Sequence, residues 1–218
     1  MAPSTATASS SSYALRFDAG RVCLDLPATT HPTERLDSVL VLRAWISGAG
    51  LVPPGTPLAH VDASWLPPFR ELRDAIALLT RGALPTGPSP SPSPPPPASP
   101  SPPDDLALAR VNAAAHAAPP APHAVRADDG TLVRELDRLP DRAALLSLVA
   151  RDAVDLLTDP AARACLRRCA GDDCPIVYLD TSRGHRRRWC SGDICGNRER
   201  VARHRRRTGA GARPEPRR

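Results

Sequence analysis

The sequence predicts an α+β fold, in which a mostly helical N-terminal domain with small β-hairpins precedes a small C-terminal module that holds four cysteines. Three observations support this prediction. Apolar residues recur at helical spacing in several segments of residues 13–160. Short alternating runs flank turn residues, as in β-hairpins. Near the C-terminus, two Cys-x4-Cys pairs are separated by fifteen residues.

The N-terminal domain is expected to begin at about residue 13, after a small, polar and disordered segment. Residues 15–18 and 22–26 alternate on either side of Ala19-Gly20, which predicts a short β-hairpin. Cys23 lies in the apolar part of that hairpin and is expected to be a small buried side chain rather than a reactive thiol.

Two helices are predicted next. Asp37-Ser38 provides a cap for the first helix, whose apolar positions recur over residues 39–46 until Gly48 and Gly50 end the pattern. The second helix is predicted over residues 64–84, with its apolar residues on one face.

A low-complexity segment of Pro and Ser, residues 85–103, then interrupts the domain. Such a segment cannot pack and is expected to be an extended, polyproline-like insertion. Two interpretations remain open from the sequence: a ligand for a proline-binding partner, or a solvated surface loop.

The rest of the domain is predicted to be helical apart from one hairpin. Helical spacing resumes over residues 106–111, and the Asp-Gly turn within residues 125–133 predicts two short strands. A long helix is predicted over residues 141–157, and a short helix over residues 161–168 leads into the cysteine module.

The cysteine spacing predicts a closed tetrahedral site for one structural zinc ion per chain, because each Cys-x4-Cys loop presents two sulfurs and the four thiolates leave no open position. The predicted ligands are Cys169, Cys174, Cys190 and Cys195. Between the pairs, residues 176–180 and 187–189 predict a hairpin, and a helix is predicted from Asn197. This order indicates a treble-clef-like four-Cys zinc finger over residues 161–207, before a disordered basic tail at residues 208–218.

The module contains other residues that could bind the metal or nucleic acid. Cys165, His185 and His204 are alternative ligands, but the four-cysteine set is complete without them. Asn197 either caps the last helix or contacts a base, and Trp189 is expected in the core of the module rather than stacked on a base.

The sequence resembles the CGNR zinc finger family, named for the tetrapeptide found here at residues 195–198, over about residues 169–207. The preceding part, from Phe17 to about Leu157, is similar to the ABATE domain that precedes this finger in bacterial proteins. That second similarity is carried by residues 20–25, 42–45 and 72–75. One departure is that Leu26-Pro27-Ala28-Thr29 stands where the family follows the Leu-Asp pair with an apolar residue and Asn-Thr, so a pocket lined by that Asn would be altered or lost.

The resemblance implies a stress-responsive transcription regulator, whose finger binds DNA and whose N-terminal domain binds a small-molecule or protein ligand. Charge supports a polyanionic partner, since residues 163–218 carry sixteen Arg against six acidic residues. The candidate nucleic-acid contacts are Arg183, Arg186, Arg187, Arg188, Arg198, Arg203, Arg205, Arg206 and Arg207. Arg198 could instead pair with Asp180.

Two other functions use the same basic surface: an RNA-binding factor and a protein-interaction adaptor for an acidic partner. An enzyme is not expected, because the sequence shows no nucleophile–base pair, paired carboxylates, phosphate-binding glycine loop or open metal site. No apolar stretch is long enough to span a bilayer and no secretion signal is visible, so a cytoplasmic location is expected, at the bacterial nucleoid when DNA is bound. The oligomeric state is left open.

Overall fold

The computed structural model of the protein describes residues 15–85 and 102–209. Its helices are α1 (Val22–Asp25), α2 (Val39–Gly48), α3 (Leu66–Gly82), α4 (Pro102–Ala115), α5 (Arg142–Thr158), α6 (Pro160–Ala164) and α7 (Asn197–Gly209), with 3-10 turns at Pro27–Thr30 and Ala63–Trp65 and a π-turn at Gly192–Gly196. The strands β1 (Pro122–Arg126) and β2 (Leu132–Leu136) form one antiparallel pair, and β3 (Leu166–Arg168) and β4 (Val177–Leu179) form another. This arrangement confirms the predicted α+β class.

The long helices lie where apolar spacing and caps predict them. Ser38 accepts a hydrogen bond from the N–H of Val41 at the start of α2, and Asp141 accepts one from Ala144 at the start of α5. Helices α3, α4 and α5 pack against one another, and their apolar faces form much of the core. Within this core, Trp45 of α2 and Phe69 of α3 pack edge to face with ring centroids 6.1 Å apart.

Helix α4 begins earlier than predicted, at Pro102. The last two residues of the predicted extended insertion therefore lie in its first turn, where proline fits because no N–H donor is required. The remainder of the insertion, residues 86–101, lies outside the described residues.

The predicted hairpin at residues 15–26 is wrong, because residues 22–25 form α1. The N–H groups of Leu24 and Asp25 donate to the carbonyl of Arg21, and the N–H of Cys23 donates to the carboxylate of Asp152 on α5. The segment is buried between α5 and the rest of the core. Because it has no solvent-exposed face, the periodicity of its apolar residues does not distinguish a strand from a helix. Cys23 is fully buried, as expected.

The second hairpin, β1 and β2, forms around the predicted Asp-Gly turn. Val125 pairs with Val133, and Gly130 adopts a φ of 84° at the turn, which favours glycine. Most residues of both strands are exposed.

Two predictions in the cysteine module are also wrong. The short helix ends at Ala164 rather than continuing to residue 168, and residues 166–168 form β3, which pairs with β4. Residues 187–189 are not a strand, although the N–H of Ala170 donates to the carbonyl of Arg188. The strand β4 thus has its partner before the first cysteine, and this pairing holds Leu166 of β3 in a fully buried position.

The finger packs directly on the N-terminal domain. The N–H of Leu179 donates to the carbonyl of Ala19 at 2.8 Å, and the guanidinium of Arg187 donates to the carbonyl of Asp18 at 2.8 Å. Gly20 lies so close that a Cβ atom there would be 3.1 Å from the carbonyl oxygen of Leu179. Buried residues of the two parts therefore form one continuous core.

Helix α7 extends to Gly209, so the first two residues of the predicted disordered tail are helical, and residues 210–218 lie outside the described part. None of the helices described is both long enough and apolar enough to cross a membrane.

Candidate metal centre and arginine surface

The four predicted ligand sulfurs meet at one buried point. The Sγ atoms of Cys174, Cys190 and Cys195 are 3.6–3.7 Å from one another, and all four ligand atoms, including that of Cys169, lie within 4.8 Å. A tetrahedron with Zn–S bonds of about 2.3 Å has edges of about 3.8 Å. The separations therefore fit one zinc ion with four thiolate ligands and no open position.

Tight backbone turns hold each pair of cysteines. In the first loop, the N–H of Cys169 donates to the carbonyl of Ile176, and the N–H of Cys174 donates to the carbonyl of Gly171. Asp173 adopts a φ of 58° in this turn. In the second loop, Ser191 caps the π-turn by accepting from the N–H of Ile194, which places the buried Cys195 opposite the first pair.

Hydrogen-bond donors surround the sulfurs and offset their negative charge. The pKa of Cys169 lies well below its ordinary value, chiefly because the thiols of Cys174 and Cys190 donate hydrogen bonds to its sulfur. The N–H groups of Cys190, at 3.3 Å, and of Gly171, at 3.4 Å, lower this pKa further. Because Cys174 donates to Cys169, its own pKa is raised to about 12. A metal ion that binds here displaces the protons of these thiols.

A donor that the sequence did not indicate comes from the N-terminal domain. Arg16 is buried and donates to Sγ of Cys190 at 3.1 Å and to Asp18 at 3.2 Å. Burial opposes the charge of this guanidinium, but the hydrogen bond to Cys190 and the charges of Cys190 and Asp18 outweigh it and raise the pKa of Arg16. Its nearest signal in the sequence is an arginine placed between two apolar residues, Leu15 and Phe17.

The alternative ligands lie outside this cluster. Among the described residues, the only group with metal-ligand geometry is the four-cysteine set, which contains neither Cys165 nor the two histidines of the finger. Nδ1 of His185 is 2.9 Å from the carbonyl oxygen of Asp180. Cys165 is partly buried, and its carbonyl accepts the N–H of Asp180.

One of the nine predicted nucleic-acid contacts is engaged inside the protein. The guanidinium of Arg187 donates to the carbonyls of Asp18, Trp189 and Cys190, and it lies 4.6 Å from the centroid of the Tyr178 ring. Its backbone N–H donates to the buried carboxylate of Asp180. Burial alone would raise the pKa of Asp180, but the hydrogen bonds from Ser182 and Arg187 lower it. Arg187 thus connects the finger to the N-terminal domain.

Seven of the predicted contacts are exposed on the finger, and we call them the finger arginines. They lie in the loop after β4 and on α7: Arg183, Arg186, Arg188, Arg198, Arg203, Arg205 and Arg206. Glu199 lies 2.9 Å from Arg206 and 4.0 Å from Arg203, so part of the charge on α7 is compensated. The guanidinium of Arg188 lies over the ring of Trp189. Arg207 lies in α7, and its contact with nucleic acid stays a prediction, as do those of the seven finger arginines.

The two interpretations of Asn197 and Trp189 can now be compared with their positions. Asn197 has helical backbone angles and is exposed, and the helical cap is provided by Ser191, so the predicted capping role is wrong. Trp189 is half-buried and packs against Gly196, as expected for a core side chain. Arg198 is exposed and forms no ion pair with Asp180 in the part of the chain that the structure describes.

The motifs of the N-terminal domain hold its loops in place. Arg21 pairs with Asp152 at 2.7 Å, and Arg73 is buried and pairs with Glu34 at 2.7 Å. In the segment after α1, Ala28 and Thr29 are buried, and Oγ1 of Thr29 donates to the carbonyl of Leu26. Core packing thus holds this segment in place.

Comparison with family models assigns both parts of the chain. Residues 20–160 match the ABATE family, described as "Putative stress-induced transcription regulator", and residues 165–208 match the CGNR zinc finger. Neither family is an enzyme family. No curated protein matches the chain significantly. Because the first match covers well over half of the sequence, and the second coincides with the four-cysteine cluster, the chain belongs to the ABATE family and carries a CGNR zinc finger with one structural zinc site.

Proposed function

We propose that the protein is a zinc-dependent, DNA-binding transcription regulator. The finger binds DNA, and the N-terminal domain receives a signal from a small-molecule or protein ligand. The observation that carries this proposal is the set of seven exposed finger arginines on a scaffold closed by four buried cysteines. The regulator family that matches residues 20–160 supports the same function.

Electrostatics favours a polyanion as the partner of the finger. Residues 163–218 have a formal charge of +10, whereas the rest of the chain has −4. Arginine guanidinium groups bind phosphate with two hydrogen bonds and release counterions from DNA, which gives affinity that falls steeply with salt. Arg183, Arg186 and Arg198 are available for this role, since they make no hydrogen bond or ion pair within the described residues.

The zinc site supports recognition rather than catalysis. Four thiolates fill a tetrahedral site, so the ion has no position for a water molecule or a substrate. Its role is to fix the loop after β4 and the start of α7, from which the finger arginines project.

Double-stranded DNA fits the finger better than single-stranded RNA. Proteins that bind single strands without strong sequence preference stack bases on exposed aromatic side chains. In the described part of the finger, Tyr178 is buried and Trp189 packs against Gly196 beneath the guanidinium of Arg188. We further propose a location in the bacterial cytoplasm, at the nucleoid when the protein is bound to DNA.

A competition experiment distinguishes DNA from the alternative partners. The zinc-loaded full chain is bound to a labelled mixed-sequence duplex at low salt, and unlabelled duplex DNA, single-stranded RNA and a polyglutamate peptide are added as competitors. Duplex DNA should compete best. Stronger competition by the RNA or by the peptide would favour an RNA-binding factor or a protein-interaction adaptor.

A matched pair of variants tests the finger itself. Replacing Arg183, Arg186 and Arg198 with Gln should lower duplex affinity at least tenfold, because three phosphate contacts are removed. The control replaces three exposed arginines of the N-terminal part, Arg110, Arg134 and Arg138, with Gln and removes the same net charge. Equal losses in both variants would contradict binding through the finger.

A further inference from the structure

A cleft lies where the N-terminal domain meets the finger. Residues 15–18 and 31–35 line one side of it, and residues in the range 191–198 line the other. Its volume of about 450 Å³ lies within the range typical of small-molecule sites. Nothing in the family matches assigns a role to this cleft.

The cleft has an apolar part that is exposed to solvent. Phe17 and Ile194 line it and are 39% and 42% exposed, which is high for large apolar side chains. The Phe17 ring rests against the backbone of Gly48 on α2, where an added Cβ would lie 2.5 Å from the ring. One side of the ring is thus fixed, and the exposed side can pack against a ligand.

The described residues that line the cleft carry an excess of one positive charge. Arg16, Arg35 and Arg198 line it together with Asp18 and Asp193, and Asp18 is already paired with Arg16. Burial and then the charges of Arg198, Arg16 and Arg35 lower the pKa of His31, which lines the same cleft, so this histidine adds little charge at neutral pH. A net charge of +1 on the lining residues is matched by a ligand with a single negative charge.

Arg16 provides a second, independent indication of an anionic ligand. Its side chain is 7% exposed, and its Nε and Nη1 atoms are buried with no hydrogen-bond partner among the described residues. A buried guanidinium that lacks acceptors is costly, and such groups in native proteins usually have a partner. Arg16 lines the cleft, so the guanidinium that lacks acceptors lies beside the site of the proposed ligand.

We propose that this cleft binds a small organic monocarboxylate with an apolar body about the size of a fused ring system. The carboxylate binds Arg198 together with Arg16 or Arg35, and the apolar body packs between Phe17 and Ile194. This proposal rests on the proposed function, since it identifies the ligand site of the signal-receiving domain.

Binding at this site regulates the finger. Arg198 lies at the start of α7 and is also one of the finger arginines. A carboxylate on Arg198 removes a phosphate contact, so the ligand weakens DNA binding. Coupling between two binding sites is reciprocal, and DNA therefore weakens binding of the carboxylate by the same factor.

Calorimetric titration of the zinc-loaded full chain tests the site with three probes of the same shape. These are 2-naphthoate, the neutral 2-naphthamide and the dianionic 2-naphthyl phosphate. We expect 2-naphthoate to bind with one-to-one stoichiometry and at least tenfold more tightly than the amide. Equal affinity for the amide, or tighter binding of the phosphate, would overturn the assignment of a monocarboxylate.

Variants on the same helix locate the binding. Arg198→Gln should weaken 2-naphthoate binding about tenfold or more. Arg200→Gln, which removes an exposed arginine of α7 that does not line the cleft, should leave it unchanged. Unchanged binding by the Arg198 variant, or equal losses in both variants, would place the carboxylate elsewhere and overturn the proposal.

Duplex affinity measured in the same samples separates this proposal from the proposed function. Saturating 2-naphthoate should lower duplex affinity severalfold, and an unchanged affinity would overturn the coupling. If the chain binds 2-naphthoate but no duplex, the cleft assignment stands and the proposed function fails. If it binds duplex but not 2-naphthoate, the cleft assignment fails and the proposed function stands.

Discussion

The buried cysteine cluster depends on residues from both parts of the chain. The sulfurs of Cys174, Cys190 and Cys195 lie 3.6–3.7 Å apart. The charge of the cluster is offset by backbone N–H groups that donate to Cys169 and by the guanidinium of Arg16, which donates to Cys190. Hydrogen bonds of this kind orient metal ligands and tune the affinity for the metal. At the scale of residues, the zinc site therefore includes its donors as well as its four ligands.

Replacing one ligand should abolish the site. In the Cys174→Ser variant, zinc content should fall from about one ion per chain to well below one, because a serine hydroxyl is a poor ligand for this ion. The matched control is Cys165→Ser, which changes a nearby cysteine outside the cluster and should retain one ion. Atomic absorption on the purified proteins measures both, and full zinc content in the Cys174 variant would refute the ligand assignment.

Asp25 should make stability depend on pH. Burial raises its pKa from 3.8 to about 7, with the charges of Asp18 and Asp152 acting in the same direction and the N–H of Ala19 acting against them. The folded protein thus holds a proton that the unfolded chain has already lost between pH 4 and pH 7, so this residue lowers stability as pH rises through that range.

The Asp25→Asn variant removes this titration. Relative to the parent protein, its free energy of unfolding should increase with pH by up to about 1.4 kcal/mol per unit between pH 4 and pH 7, as measured by urea unfolding at several pH values. Parallel pH profiles for the two proteins would show that Asp25 has no raised pKa in the folded state.

The sequence predicted the four ligands but not these supporting residues. Ligand spacing is local, so two Cys-x4-Cys loops are visible in the chain itself. Arg16 lies 174 residues from Cys190, and the pKa of Asp25 is raised mainly because tertiary packing buries its carboxyl group. An arginine between two apolar residues does not reveal its partner, and the burial of Asp25 depends on segments distant in the sequence.

At the scale of elements, the contact between the loop before α1 and the strand β4 joins the two parts of the chain. Ala19 accepts the N–H of Leu179, and Gly20 adopts a φ of 93° against the backbone of the same residue. Glycine is required there for two reasons, its positive φ and the lack of space for a Cβ atom.

Two glycine variants distinguish the cost of the positive φ from the cost of the close contact. Gly20→Ala should lower the free energy of unfolding by about 2–4 kcal/mol, because backbone strain of about 1–2 kcal/mol adds to the clash with Leu179. Gly55→Ala has a similar φ of 82° but no atom within 4 Å of the added Cβ, so it should show only the strain. Equal losses in the two variants, measured by denaturant unfolding, would argue against the close approach at Gly20.

Elements with their own local signals were predicted, and elements set by tertiary contacts were not. Helices α2 and α5 have caps and apolar spacing, and the β1–β2 hairpin has an Asp-Gly turn. The alternation within residues 22–26 predicts a strand, whereas in the structure the carboxylate of Asp152 on α5 accepts the N–H of Cys23 and the segment is helical. The strand β3 has only three residues and depends on β4 for its formation.

At the scale of the whole molecule, the finger is part of the core rather than a module on a flexible linker. Buried residues of the domain and the finger are continuous, and Arg16 and Arg187 form hydrogen bonds across the boundary. The N-terminal domain therefore contributes to the zinc site, and the proposed ligand of the cleft would contact the finger at Arg198.

Removing the domain's donor should weaken zinc binding. Arg16→Gln should lower zinc affinity about 10–100-fold, since it removes a hydrogen bond to a ligand sulfur. The control is Arg43→Gln, which loses bonds to the carbonyls of Ala59 and Val61 within the domain and should leave zinc affinity unchanged. Competition with a chromophoric chelator measures both, and identical affinities in the two variants would exclude a role for Arg16 at the site.

The most direct test of DNA binding by a zinc-ordered finger is the salt dependence of duplex affinity for the zinc-loaded and the chelator-treated full chain. The zinc-loaded protein should bind duplex DNA at low salt, and log affinity should fall with log salt with a slope of about −3 to −6, as expected for three to seven phosphate contacts. The zinc-free protein should lose most of this affinity. Equal affinity with and without zinc, or no duplex binding by the zinc-loaded chain, would contradict the account.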